Sequence, residues 1–137
     1  MTLKNTESRF KISVINTQTI DGQTDTVSES GEGSYRLHNG KYFISYECGG
    51  TKSFLRLFGD RLSVTRRGET SSEMVYEVNE SFEFDYSTMY GKIYMEITTK
   101  LLTYELDENG GKICLSYELK TGSDIILNKM IIKIKRI

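Results

Sequence analysis

Residues 61–106 read RLSVTRRGETSSEMVYEVNESFEFDYSTMYGKIYMEITTKLLTYEL. Apolar and polar side chains alternate along this stretch, as where Phe82, Phe84 and Tyr86 are separated by Glu83 and Asp85. A period of two is typical of β-strands that have one face in a core and the other in water. We interpret the stretch as three extended segments, at residues 61–67, 73–78 and 81–106. The last folds back on itself around residues 90–91, and the rest of the fold is organised around this long antiparallel hairpin.

The same alternation continues on both sides of that hairpin. It predicts further strands at residues 9–19, 24–37, 41–48, 52–58, 112–120 and 125–137. Turn signals separate these strands, among them Asp21-Gly22 and Asn109-Gly110, which favour tight hairpins. The segment at residues 24–37 has the weakest pattern, and Gly31 and Gly33 would let it bend sharply.

These segments add up to about ten short strands, and nearly every connection is about two to six residues long. Short connections place neighbours in the sequence side by side in the sheet. An open up-and-down sheet would leave two exposed edges, so closure is favoured over an open sheet. The sequence therefore predicts an all-β fold, a single antiparallel up-and-down β-barrel of about 8–10 strands. It would span residues 1–137 as one domain, with residues 1–8 as a loosely ordered lead.

Composition excludes several classes of function. The chain has 18 Lys and Arg against 19 Asp and Glu, so no overall field attracts nucleic acid or anionic lipid. No apolar run approaches the roughly 20 residues that span a bilayer, and the N-terminus lacks a signal-peptide core, so we expect a cytoplasmic protein that does not bind membranes. Cys48 and Cys114 are far apart and lack Cys-x-x-Cys spacing, so we expect neither a metal site nor a cofactor.

Arg66 is the most informative single residue. Alternation places it on the same face as Leu62 and Val64, which is the predicted interior. A permanently charged guanidinium in that position needs carboxylates, carbonyls, water or an anionic ligand. It would hold the polar or anionic end of a ligand inside the barrel. Alternatively, it reaches out past Gly68 to solvent, or it pairs with an acidic residue that merely seals the barrel.

Five further polar side chains share this predicted inner face, namely Tyr42, Tyr46, Tyr86, Thr99 and Tyr117. Converging hydroxyls orient a mainly apolar ligand in a small-molecule pocket. The alternative is that these tyrosines are ordinary strand residues in a packed interior. A barrel of eight strands is just filled by side chains, so the number of strands decides whether there is a cavity.

Catalysis has little support in the sequence. His38 lies in a turn with no nearby nucleophile, so we expect no catalytic residues and a protein that is not an enzyme. A basic stripe on the outer face is a further candidate site, formed by Arg56, Arg61, Lys129, Lys133, Lys135 and Arg136. With exposed aromatics such as Phe43, Tyr94 and Tyr104 it would suit single-stranded nucleic acid. Interspersed glutamates weaken this field, and lysines on a terminal strand also protect an edge.

Several short motifs resemble the YwiB-like family of small uncharacterised bacterial proteins. They are residues 42–47 (YFISYE), 64–68 (VTRRG), 84–91 (FDYSTMYG), 98–100 (TTK), 110–117 (GGKICLSY) and 128–130 (NKM). The resemblance covers about residues 8–136 and depends on the order and spacing of these motifs. It implies a bacterial source and a calycin-like barrel, similar to lipocalins and fatty-acid-binding proteins, and it implies no biochemical role.

The residues and the resemblance together predict a non-enzymatic protein that binds a small apolar or amphipathic ligand, with Arg66 at the polar end. A protein-interaction or structural module with a packed barrel is the first alternative. Single-stranded nucleic-acid binding is the third and least favoured. The sequence leaves the oligomeric state open, with a dimer among the alternatives.

Overall fold

Ten β-strands form a single antiparallel sheet in the computed structural model, which describes residues 9–69 and 71–137. The strands are β1 (Phe10–Ile20), β2 (Gln23–His38), β3 (Lys41–Cys48), β4 (Thr51–Phe58), β5 (Arg61–Arg67), β6 (Ser72–Glu77), β7 (Ser81–Thr88), β8 (Gly91–Asp107), β9 (Gly110–Thr121) and β10 (Asp124–Arg136). Within these described ranges there is no helix with the length and apolar character needed to cross a membrane. The predicted lead at residues 1–8 lies outside the described residues.

The strand order closes the sheet almost completely. Its order is β6-β5-β4-β3-β2-β1-β10-β9-β8-β7, so β1 pairs with both β2 and β10. The gap in the ring lies between β6 and β7, where one bridge joins Ser71, just before β6, to Ser87 of β7. Backbone hydrogen bonds tie the connection between β6 and β7 to β8, since the Asn79 N–H donates to the Thr99 carbonyl at 3.0 Å and the Thr99 N–H to the Glu80 carbonyl at 3.3 Å. The predicted antiparallel up-and-down barrel is therefore confirmed, with ten strands.

Two glycines let β2 pass from one neighbour to the next. Gly33 is paired with Phe10 of β1 and with Tyr46 of β3. A Cβ atom on Gly33 would lie 1.8 Å from the Ser45 carbonyl oxygen, and one on Gly31 would lie 2.1 Å from that of Glu47. These distances are far below van der Waals contact, so only glycine fits at either position.

A β-bulge divides β8 into two halves. The register with β9 shifts between Thr99 and Leu101, and the inward-facing residues change from odd to even numbers at this point. Tyr104, expected among the exposed aromatics, consequently faces inward, where its hydroxyl donates to the Gly59 carbonyl at 2.8 Å. The prediction for Tyr104 was wrong because an extra residue in one strand reverses the alternation beyond it.

The middle of the barrel is packed with aliphatic side chains. Ile12, Leu57, Leu62, Ile97 and Ile113 have no exposed surface. They come from five different strands, so the core is a layer across the whole barrel. Burial of such side chains stabilises the fold by about 1.5–3 kcal/mol each. Space for a ligand is therefore confined to the ends of the barrel.

Candidate functional site

A cavity of about 410 Å³ opens at one end of the barrel. Its walls combine apolar, aromatic and polar side chains that face inward near the strand ends. These include Val14, Val27, Met74, Met130, Tyr76, Tyr86, Tyr117, Asn16, Gln18, Glu29 and Arg66. A mainly apolar lining with a few converging polar groups is typical of a small-molecule site, and the volume lies in the usual range of about 300–1,000 Å³.

Arg66 and Glu29 form a bidentate ion pair on the wall of this cavity. Arg66 Nη1 donates to Glu29 Oε1 at 2.8 Å, and Nη2 donates to Oε2 at 3.3 Å. The two side chains are 32% and 23% exposed, so the pair is partly shielded from water. Burial alone would lower the pKa of the Arg66 guanidinium, but the hydrogen bond and charge of Glu29 outweigh it and raise that pKa. Arg66 is thus charged and already has a counter-ion.

Glu29 was not among the predicted site residues, although the sequence held a signal for it. The Asp21-Gly22 turn pairs Ile20 with Gln23, and this register places Glu29 opposite Val14. Since Val14 faces the core, Glu29 must face it as well. Counting residues from the turn would have placed Glu29 on the inner face, as a candidate partner of Arg66.

Two buried tyrosines form the floor of the cavity. The rings of Tyr76 and Tyr117 meet edge to face with centroids 4.8 Å apart, and Tyr76 Oη donates to Met74 Sδ at 3.4 Å. Burial raises the pKa of both hydroxyls, for Tyr76 well above the usual value. Tyr76 was also missed by the sequence analysis, although it follows Met74 at the spacing of two that places both inside.

Three side-chain amides cluster beside this floor. Asn128 Oδ1 accepts hydrogen bonds from Asn16 Nδ2 at 3.1 Å and from Gln18 Nε2 at 3.2 Å. The Asn128 side chain itself donates to the Ile126 carbonyl at 3.0 Å. Asn16 Oδ1 is buried and finds no donor among the described residues. A buried acceptor without a partner costs free energy, and because Asn16 Oδ1 has almost no accessible surface, a ligand in the cavity does not reach it.

The predicted site residues separate into three groups. Arg66, Tyr86 and Tyr117 line the cavity. Tyr46 is buried behind it, where burial and the nearby charge of Glu29 raise the pKa of its hydroxyl. Thr99 is fully buried, and its backbone helps to close the ring between β6 and β8.

Tyr42 lies at the other end of the barrel, in a cluster of aromatic side chains. Its ring stacks on Tyr35 with centroids 6.3 Å apart and meets Tyr104 edge to face at 5.8 Å. Tyr35 Oη donates to the Asp107 carbonyl at 2.7 Å, and the Arg136 guanidinium lies 4.9 Å from the Phe10 ring centroid. These contacts cover that end of the core and keep Tyr42 away from Arg66.

The described part of the chain holds no candidate metal site. Within residues 9–69 and 71–137, no three His, Cys, Asp or Glu side chains are grouped so that they could hold a metal ion. His38 is exposed in its turn, with its Nε2 3.2 Å from Asn39 Nδ2.

Comparison with known proteins assigns the chain to a family. The model of a family described as "Domain of unknown function (DUF1934)" matches residues 12–134. The chain belongs to this family. As a DUF1934 protein it is 22% identical, over 108 residues and 76% of each chain, to the Bacillus subtilis (strain 168) protein described as "Uncharacterized beta-barrel protein YwiB". The predicted resemblance to the YwiB-like family is confirmed.

The DUF1934 fold is also seen in a solved structure. The crystal structure of the ywiB protein from Bacillus subtilis matches with a TM-score of 0.84 at 21% identity. The match covers 94% of this chain and 92% of that one. The two proteins therefore share the whole barrel architecture.

Proposed function

We propose that this protein binds a small, partly apolar molecule in the cavity at the Arg66 end of the barrel, without catalysing a reaction. The observation that carries the proposal is the half-buried Arg66–Glu29 pair on the wall of a cavity of about 410 Å³. The polar end of the ligand would meet this pair. Its apolar part would lie along Val14, Met74 and Met130.

The pair limits the chemistry of the polar end. A guanidinium has five N–H donors, and Glu29 accepts from two of its nitrogens. Glu29 offers the remaining lone pairs of its carboxylate as acceptors in the same cavity. A group with both donors and acceptors, such as an amide or a protonated acid, satisfies both side chains. A simple anion is less favoured because it must compete with Glu29 for Arg66.

Mild purification followed by native mass spectrometry tests the proposal. The wild-type protein should retain a small molecule or bind one from a panel of amphipathic amides and acids, and Arg66→Ala should lose it. Arg61→Ala is the matched control, because Arg61 is an exposed strand residue paired with Glu77 at 3.7 Å. Equal retention by Arg66→Ala and the wild type would contradict the role of Arg66.

A second variant tests the cavity itself. Val27 lines the cavity but is 58% exposed, so Val27→Trp should narrow the opening with little effect on folding. Weaker ligand binding with an unchanged melting temperature would support the site. If the wild type binds no member of the panel, the packed middle of the barrel favours the alternative of an interaction or structural module.

A further inference from the structure

The predicted basic stripe is divided by the topology of the barrel. Arg56 on β4 and Arg61 on β5 are separated from β10 by β3, β2 and β1. Arg136 is paired with the buried Phe10 and lies over the barrel end, where its Nη2 donates to the Glu108 carbonyl at 2.7 Å. Lys129, Lys133 and Lys135 remain on the outer face of β10.

Two other lysines join Lys133 and Lys135 to form a compact cluster. Lys11, Lys112, Lys133 and Lys135 surround a shallow depression of about 440 Å³ on the outer face of β1, β9 and β10. Gly111 and Ile134 also line it. A Cβ atom on Gly111 would lie 2.0 Å from the Glu105 carbonyl oxygen, so this position has no side chain to fill the depression. We call these four side chains the lysine cluster.

The register brings the charges of the lysine cluster into direct opposition. Lys11 is paired with Lys135, and Lys133 is paired with Lys112. Opposed residues have Cβ atoms about 5 Å apart, and like charges at that distance destabilise a sheet. Two such pairs on adjoining strands therefore lower stability, which suggests that the lysines have a role other than folding.

Acidic neighbours offset the charge of the cluster only in part. Glu32 stands across from Lys11, but its carboxylate is bound to Arg9. Glu105 stands across from Lys112 without forming an ion pair. Among the described residues, none of the four lysines forms an ion pair.

Protection of an edge does not explain the cluster either. Lysines on an edge strand prevent pairing with another chain. However, β10 pairs along its length with β1 on one side and β9 on the other. The lysines of β10 therefore lie in the middle of the sheet, where no edge needs protection.

We propose that the lysine cluster binds a compact anion with several phosphate groups. Lysine ammonium groups bind phosphate as point charges, and four of them in a row, with successive members about 5–7 Å apart, suit adjoining phosphates. No aromatic side chain lines the depression. Single-stranded nucleic-acid sites add aromatic stacking to the positive charge, so a free oligophosphate fits better than a nucleic acid.

Titration with inorganic tripolyphosphate, followed by calorimetry at low and at physiological salt, tests this proposal. We expect binding that weakens with salt, and an affinity at least about fivefold lower in Lys133→Gln and in Lys135→Gln. Lys129→Gln is the control, because Lys129 is exposed on the same face of β10 but does not line the depression. Equal loss in the control, or no binding by the wild type, would overturn the proposal.

Melting temperatures give a second readout. Without ligand, Lys135→Gln should be slightly more stable than the wild type, because it relieves the repulsion with Lys11. With tripolyphosphate the order should reverse, since the wild type gains more from the ligand. If Lys135→Gln is less stable than the wild type both with and without tripolyphosphate, the lysine cluster does not lower the stability of the free protein, and the proposal is contradicted.

Two further probes distinguish a free oligophosphate from a nucleic acid and from a membrane surface. Stronger binding of a single-stranded oligonucleotide than of tripolyphosphate would assign the cluster to nucleic acid and overturn the proposal. Binding to phosphatidylglycerol vesicles but not to tripolyphosphate would assign it to a membrane surface, with the same consequence. Arg66→Ala should bind tripolyphosphate as well as the wild type does, so this proposal and the cavity ligand fail independently.

Discussion

Arg66 on β5 and Glu29 on β2 are joined by two hydrogen bonds, although β3 and β4 separate their strands in the sheet. The ion pair therefore links two strands that are not neighbours in the sheet, across the interior at the cavity. It fixes two opposed segments at the end where the cavity opens. Any ligand that displaces Glu29 from Arg66 must also replace this link.

Removal of the negative partner should destabilise the protein. Glu29→Gln leaves a partly buried guanidinium without its counter-ion, and we expect a loss of about 1–2 kcal/mol in the free energy of unfolding. Glu73→Gln is the control, because its contact with Arg67 at 3.9 Å is exposed and should contribute almost nothing. Urea denaturation measures both. A Glu29→Gln protein as stable as the wild type would show that the pair is neutral for folding.

The same substitution should change ligand preference. With Glu29 neutral, the Arg66 guanidinium is free to bind an anion, so the affinity for an aliphatic carboxylate such as octanoate should rise about tenfold. The affinity for the corresponding amide should fall or stay constant. Calorimetric titration of both compounds checks this. Unchanged preference would mean that the polar end of the ligand does not contact the pair.

A side chain at Gly33 should disrupt the crossing of β2 from β1 to β3. The new Cβ of Gly33→Ala would lie 1.8 Å from the Ser45 carbonyl oxygen, and a backbone atom in a paired strand has little freedom to move. We expect a loss of about 3 kcal/mol, at the upper end of the range for overpacked sites. Ser30→Ala, at an exposed position of the same strand, should stay within about 0.5 kcal/mol of the wild type. Similar melting temperatures for the two variants would refute the argument from close approach.

Stability should fall in alkaline solution. Burial raises the pKa of Tyr35 from 10.0 to about 12, so above pH 10 the unfolded chain loses a proton that the folded protein keeps. The contribution of Tyr35 to stability is complete below pH 10 and is lost as the pH rises toward 12. Tyr46, Tyr76, Tyr104 and Tyr117 shift in the same direction and add to the effect.

Thermal unfolding across this pH range measures the decline. Tyr35→Phe should be less stable than the wild type at neutral pH by about 1 kcal/mol, because its bond to the Asp107 carbonyl is lost. Its stability should depend less on pH above pH 10. If the melting temperatures of the variant and the wild type fall equally with pH above pH 10, Tyr35 does not contribute to alkaline unfolding.

The closing segment between β6 and β7 depends on an unusual backbone conformation. Asn79 has a φ of +65°, in the left-handed region, and its N–H bonds the Thr99 carbonyl. Asn79→Val should cost about 1–2 kcal/mol, whereas Asn79→Gly should be tolerated. Amide hydrogen exchange at Thr99 should accelerate in the valine variant only. Equal exchange rates in both variants would show that the hydrogen bonds that close the ring do not depend on the left-handed conformation of Asn79.

The fold was predictable because its signals are local. The bounds predicted for the strands at residues 41–48 and 61–67 are those found, since alternation and turn residues define each end. The bulge was missed, although Leu101 and Leu102 stand side by side where the apolar positions change from odd to even. A doubled apolar residue inside an alternating strand is the local signal of such a shift.

The site was only partly predictable because alternation gives the face of a residue and not its height in the barrel. Tyr42 and Arg66 both face inward, yet Tyr42 lies in the aromatic cluster and Arg66 in the cavity. Their separation depends on the tilt of the strands and on the volumes of side chains from distant segments. Neither the tilt nor these volumes can be inferred from the sequence of a single strand.

The pairing of β1 with β10 has a consequence for how the protein is made. Phe10 lies opposite Arg136, so β1 can pair with β2 early in synthesis, but its other edge has no partner until β10 has left the ribosome. During synthesis the hairpins from β1 to β9 can form, but the pairing of β1 with β10 cannot. The nascent chain therefore exposes one unpaired edge of β1 until β10 is made, and such an edge favours pairing with other chains.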